Sequence, residues 1–118
     1  MTDQPSLDGR TLVGVANDGG EVDADTRFHF EQDGDRIHAH YAGGSIVEGH
    51  LVGTLTDRRW DIRYAQLHDD GETATGHSVG DVTQLADGRV RVEDEWEWES
   101  RAGEGSSVLE EVRSASEG

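Results

Sequence analysis

The chain has no cysteine and no lysine. Without cysteine there are no disulfides, no thiolate nucleophile and no Cys-based zinc site. Without lysine, all ten basic residues are arginine, set against 26 acidic ones for a net charge of −16. No apolar run approaches the length of a membrane-spanning helix. The start, Met1 to Asp8, has neither the basic opening nor the apolar stretch of a signal peptide. The expectation is therefore a cytoplasmic protein. Hydrophobic residues make up only 32% of the chain, below the usual share for a soluble domain.

Low hydrophobicity with high net charge can mark disorder, but the residues that are present keep a strict register. Arg89 to Glu99 reads Arg-Val-Arg-Val-Glu-Asp-Glu-Trp-Glu-Trp-Glu. Val90, Val92, Trp96 and Trp98 recur at every second position, the period of a strand with one buried and one wet face. Asp94 falls on the buried side with two of the three tryptophans. A carboxylate there must be hydrogen-bonded, paired or facing an enclosed wet space.

The same alternation runs through the chain, which has a length suited to one domain. Strands are predicted over Arg10–Ala16, Glu21–Gln32, Arg36–Ala42, Ser45–Thr56, from Trp60 past Gln66, Thr73–Leu85, Arg89–Glu99 and Ser106–Val112. They are separated by Gly/Asp/Asn turns. Eight short strands with tight turns imply an antiparallel meander. Glycines inside the fourth and sixth strands (Gly49, Gly53, Gly76, Gly80) favour a closed barrel, which needs kinks. The expected fold is all-β, an eight-stranded antiparallel up-and-down barrel over residues 9–112, with a flexible lead at 1–8 and a flexible tail at 113–118.

Gly76-His-Ser-Val-Gly80 has the spacing of a nucleophile elbow, which requires a strand-to-helix turn and a later histidine. No helix follows, and all six histidines precede Ser78, so a kinked strand is the better reading. His38 and His40 share a strand face and could grip a metal with His29 or His50. Parity turns them outward and Glu48 comes late for a cupin-like set, so no metal is assigned. Glu93, Glu95, Glu97 and Glu99 face out, leaving Asp94 alone inside, which disfavours a paired-carboxylate glycosidase. The inner set of Phe28, Phe30, Tyr41, Trp60, Tyr64, Gln66, Asp94, Trp96 and Trp98 has the aromatic walls and few polar groups of a small-ligand pocket.

The order of signals from Gly9 to Val112 is similar to that of the avidin family. It is carried by Glu48-Gly-His-Leu-Val-Gly-Thr-Leu55, the Trp60 strand, Thr75-Gly-His-Ser78 and the apolar-ending Trp98 strand. The chain also resembles a family of small prokaryotic proteins often labelled "N-acetylglutamate synthase". That likeness lies in Val13-Gly-Val-Ala-Asn17, Glu21-Val-Asp-Ala-Asp-Thr26, Phe28-His-Phe30, Tyr41-Ala-Gly-Gly44, Arg63-Tyr64, Thr75-Gly76 and Trp96-Glu-Trp98. Acetyl-CoA chemistry would need a phosphate cradle at a helix N-terminus, whereas the nearest stretch, Arg10 to Ala16, reads as strand. Gly9-Arg-Thr-Leu12 lacks the first-strand tryptophan of avidins, and no tryptophan follows Trp98. The resemblance thus implies an avidin/calycin-like barrel with a binding mouth, but not biotin.

The reading is a barrel that binds an unidentified small organic molecule, neutral or cationic, through Tyr41, Trp60, Tyr64, Gln66, Asp94 and Trp96. Two other readings compete: a filled-barrel interaction module pairing through its outer face, and an enzyme using Asp94 as general base. No cofactor is expected. Nucleic acid and anionic membrane are disfavoured as partners, since both repel a surface of this sign; a homodimer is the assembly the resemblance implies.

An acidic, lysine-free surface suits a cytoplasm rich in potassium salts. Molar salt shortens the Debye length to roughly 3 Å and suppresses self-repulsion. The melting temperature is therefore expected to rise steeply with KCl and the chain to unfold as salt is removed. Full stability at low ionic strength, measured by circular dichroism, would contradict that habitat.

Overall fold

The computed structural model describes residues 6–18 and 25–112. The expected flexible tail at 113–118, the first five residues of the expected lead and the opening of the expected second strand, residues 21–24, lie outside them. Eight strands form one closed antiparallel barrel in sequential order. They are β1 (Thr11–Asp18), β2 (Arg27–Asp33), β3 (Arg36–Gly43) and β4 (Ile46–Thr56), then β5 (Arg59–His68), β6 (Thr73–Gln84), β7 (Val90–Trp98) and β8 (Glu104–Glu111). The barrel closes where β1 pairs with β8, from Leu12 opposite Glu111 to Asp18 opposite Ser106.

Period-two patterning settles which side chains go inside. In β3, Ile37, Ala39 and Tyr41 are buried while Arg36, His38 and His40 are exposed; in β7, Val90, Val92, Asp94 and Trp96 are buried between exposed or half-exposed neighbours. The strands depart from the expected limits where the alternation breaks. β1 runs on to Asp18 through a bulge between Gly14 and Ala16, so Asn17 and Asp18 pair with β8 instead of turning. β8 begins at Glu104, earlier than the loop-like Ser100–Gly105 composition suggested, because Glu104 and Gly105 pair with Glu97 and Trp96.

The two ends differ. At the end carrying the β2–β3, β4–β5 and β6–β7 turns, Leu7, Leu12, Leu55, Val82 and Val90 are wholly buried. Leu7 belongs to the segment expected to be flexible, yet its backbone N–H donates to the Gln32 side chain at 2.8 Å. A single apolar residue thereby stoppers this end. The opposite end carries the β3–β4, β5–β6 and β7–β8 turns and lies beside Tyr64, His68 and Trp98.

Large rings inside a narrow barrel require small partners. Gly49 lies opposite Tyr41, and a Cβ on Gly49 would stand 2.5 Å from the Tyr41 ring. The fourth-strand glycine thus serves close packing, while the bulge of that strand falls between Ile46 and Glu48.

The β4–β5 hairpin turns on Asp57 and Arg58, both at positive φ (53° and 69°). A two-residue turn of this kind favours Asn-Gly or Asp-Gly, and a non-glycine residue held there costs on the order of 1 kcal/mol or more. Arg58→Gly is expected to stabilise the fold by about 1 kcal/mol, roughly 4 °C in Tm for a domain of this size. An unchanged or lowered Tm would show that the Arg58 side chain contributes more than the strain it carries.

Candidate functional site

Six side chains singled out in the sequence, Tyr41, Trp60, Tyr64, Gln66, Asp94 and Trp96, line one interior cavity together with Phe28, Ser78, Trp98 and Ser107, among others. β5 supplies Trp60, Ile62, Tyr64 and Gln66 from successive inward positions, and β7 supplies Asp94, Trp96 and Trp98. The space open to the centres of water molecules is about 50 Å³. One water needs on the order of 10–15 Å³ by that measure. The cavity therefore has room for a few waters or the head group of a ligand.

Asp94 is 8% exposed. Ser78 Oγ donates to its Oδ2 at 2.5 Å, and Ser107 Oγ donates to its Oδ1. Trp60 Nε1 in turn donates to Ser78 Oγ at 3.0 Å, which makes a relay from indole to hydroxyl to carboxylate. Burial pushes the Asp94 carboxyl above its ordinary value; the Ser107 and Ser78 hydroxyls and nearby backbone amides pull the other way without cancelling it. Gly80, opposite Asp94 on β6, makes room for it: a Cβ there would lie 2.7 Å from the Asp94 Cβ.

A second chain of hydrogen bonds crosses the interior. Tyr41 OH donates to Gln66 Oε1 at 2.8 Å, and the Gln66 amide Nε2 lies 2.8 Å from His68 Nε2. With the amide as donor, His68 Nε2 is the acceptor. Both phenols are held protonated. Burial raises Tyr41, with a smaller contribution from Tyr64; burial and then the Asp94 charge raise Tyr64. No side-chain N or O buried among the described residues lacks a partner.

The aromatic wall is built from two groups of touching rings. Phe28 stacks on Tyr41 at 4.5 Å between centroids, and Phe30 meets Trp60 at 6.0 Å. Trp98 stands edge-on to Trp96 (5.3 Å) and Tyr64 (5.8 Å). Only half-buried, Trp98 carries the Arg101 guanidinium 4.4 Å above its ring. It forms the rim between cavity and solvent.

Ser78, Ser107 and His68 are the polar groups that the sequence reading left out of the site. Parity could have found Ser78 and His68, since even positions of β5 and β6 point inward. Ser78 is an inward strand residue bonded to Asp94, with no histidine hydrogen-bonded to its hydroxyl. The outward histidines carry no interior chemistry: His38 bonds Glu31 at 3.1 Å and His50 bonds Glu48 at 2.9 Å.

The fold and site define a class: closed eight-stranded barrels with an aromatic, acid-bearing interior that opens at one end. A family model described as "Avidin-like protein" matches residues 5–112, and the chain belongs to that family. Searches of curated proteins and of solved structures found no match.

The raised Asp94 carboxyl has a consequence for stability. The folded protein holds this proton more tightly than the unfolded chain, so protonation adds stability that is complete below the ordinary value of 3.8. That stability is lost as pH rises through the higher folded value. Asp94→Asn, uncharged throughout, removes the slope. Urea melts at a series of pH values should show wild type losing ground to D94N as pH climbs from 3.8. Parallel curves would mean that the carboxylate is solvated in the folded state.

Proposed function

We propose that the protein binds a small organic molecule, cationic or rich in hydrogen-bond donors, at the mouth of the barrel. The observation that carries this reading is a buried carboxylate lining an aromatic cavity. Asp94 is the one acidic side chain among the buried described residues, and no arginine accompanies it. A positive or donor head group reaching the cavity would meet that carboxylate, the Tyr64 hydroxyl and the faces of Trp96 and Trp98. The small volume implies that the head group enters while the remainder of the ligand rests on Trp98 and the surrounding turns. Membership of the avidin-like family is consistent with small-molecule binding.

Catalysis with Asp94 as general base is the weaker reading, because both its oxygens already accept serine hydroxyls. Pairing into a homodimer through the outer sheet, within a salt-rich cytoplasm, belongs to the same proposal. Val47 and Val52 are 54% and 62% exposed on β4, and Leu67 adds to them on β5.

Native mass spectrometry of the chain isolated from its own host tests ligand and assembly together. The expected result is a two-chain species retaining a small-molecule mass that is lost in Trp96→Ala. A bare mass in wild type, with no thermal shift from a panel of small amines and amides, would refute binding; a bare monomer would refute the dimer as well.

A further inference from the structure

We propose that the outer face of β3 and β4 is a binding site for one divalent transition-metal ion of the zinc, nickel or copper kind, held by His40, His50 and Glu48. The site shares no residue with the interior cavity and does not depend on what the cavity binds. His40 and His50 are direct cross-strand partners, with ring centroids 4.9 Å apart. Glu48 stands two residues before His50, on the same face of β4. Its Oε2 lies 2.9 Å from His50 Nε2 and 4.0 Å from His40 Nε2. One ligand atom from each of the three residues falls within 4.8 Å of the others. A metal with bonds of about 2.0–2.1 Å to nitrogen and oxygen needs its donors roughly 3.4 Å apart in a tetrahedral arrangement, so small rotations about χ1 and χ2 bring all three onto one ion.

The donor set decides the kind of metal. Two imidazoles and a carboxylate suit zinc, nickel and copper, whereas magnesium and calcium prefer oxygen ligands alone. All three residues sit on paired strands of a closed barrel, so their backbones are already positioned. Their side chains are 52%, 61% and 57% exposed, which leaves the remaining coordination position to water. The other histidines nearby have different partners. His29, beside His40 on β2, bonds Thr11 Oγ1 at 3.1 Å, and His38 bonds Glu31. The sequence spacing set Glu48 aside as too distant from the His38–His40 pair. A hairpin makes that distance irrelevant, because Gly49 pairs with Tyr41 and carries Glu48 to the end of the histidine row.

The test is calorimetric titration of untagged chain with Zn²⁺ in excess Mg²⁺, which occupies the general acidic surface. One saturable ion per chain is expected. His40→Ala and His50→Ala should each weaken binding at least as much as the roughly 10- to 100-fold that loss of a supporting residue costs a metal site. Glu48→Gln should weaken it about tenfold, and His38→Ala should leave it unchanged. These surface substitutions should leave Tm within a few degrees of wild type. In parallel, Zn²⁺ should shift the NMR ring signals of His40 and His50 and leave those of His29, His38, His68 and His77 in place. Binding that survives H40A and H50A, a non-saturating isotherm, or shifts at the other histidines would overturn the proposal.

Discussion

Closure of the sheet governs everything else in this molecule. Once β1 pairs with β8, each described strand has a neighbour on both sides, and the interior is fixed at the girth of eight strands. The seam is reinforced at one end by Glu111, whose Oε1 accepts from Arg10 Nη1 at 2.6 Å and from the Val90 backbone at 3.2 Å. A fixed girth makes packing a matter of complementary sizes. The Tyr41 ring occupies the room that Gly49 vacates, the Tyr64 hydroxyl lies over Gly76, and Asp94 sits against Gly80. Strand glycines and inner aromatics are thus two halves of one constraint.

Within that enclosure a carboxylate is an expensive guest, and the arrangement around Asp94 shows how its presence is offset. Two serine hydroxyls from the flanking strands β6 and β8 cap its two oxygens, and the Trp60 indole supports one of those hydroxyls. A buried acid supported in this way is still disfavoured as an anion. In the proposed binding reading, an incoming cationic group would restore what burial takes away, so the energetic deficit that lowers stability at neutral pH would become a source of affinity.

Much of this was legible from alternation alone. Asp94 could be placed inside because Val90, Val92, Trp96 and Trp98 share its parity, and a closed eight-stranded barrel followed from repeated short strands with glycine kinks and Gly/Asp turns; the likeness to avidins rested on resemblance in particular stretches such as Glu48–Leu55. What alternation cannot convey is which residues meet across strands. Ser107 reaches Asp94 through the β7–β8 register, and nothing in the local composition of Glu104–Glu111 fixes that register. Glu48 meets His40 for the same reason. Leu7 was missed because one apolar residue in a polar segment carries no period. The continuation of β1 was hidden by its bulge, which shifts the pairing between Gly14 and Ala16.

The three tryptophans sit at three depths: Trp60 at the inner end of the relay, 1% exposed; Trp96 at 7%; and Trp98 at the rim beneath Arg101. Their emission therefore forms a built-in optical depth gauge. A soluble quencher such as iodide reaches the rim indole first and the innermost one last. Because the Trp60 N–H bonds directly to the serine that caps Asp94, a change of charge on that carboxylate would reach the deepest fluorophore through a single hydroxyl. A cation brought to the proposed mouth would then be read from within, without any attached dye.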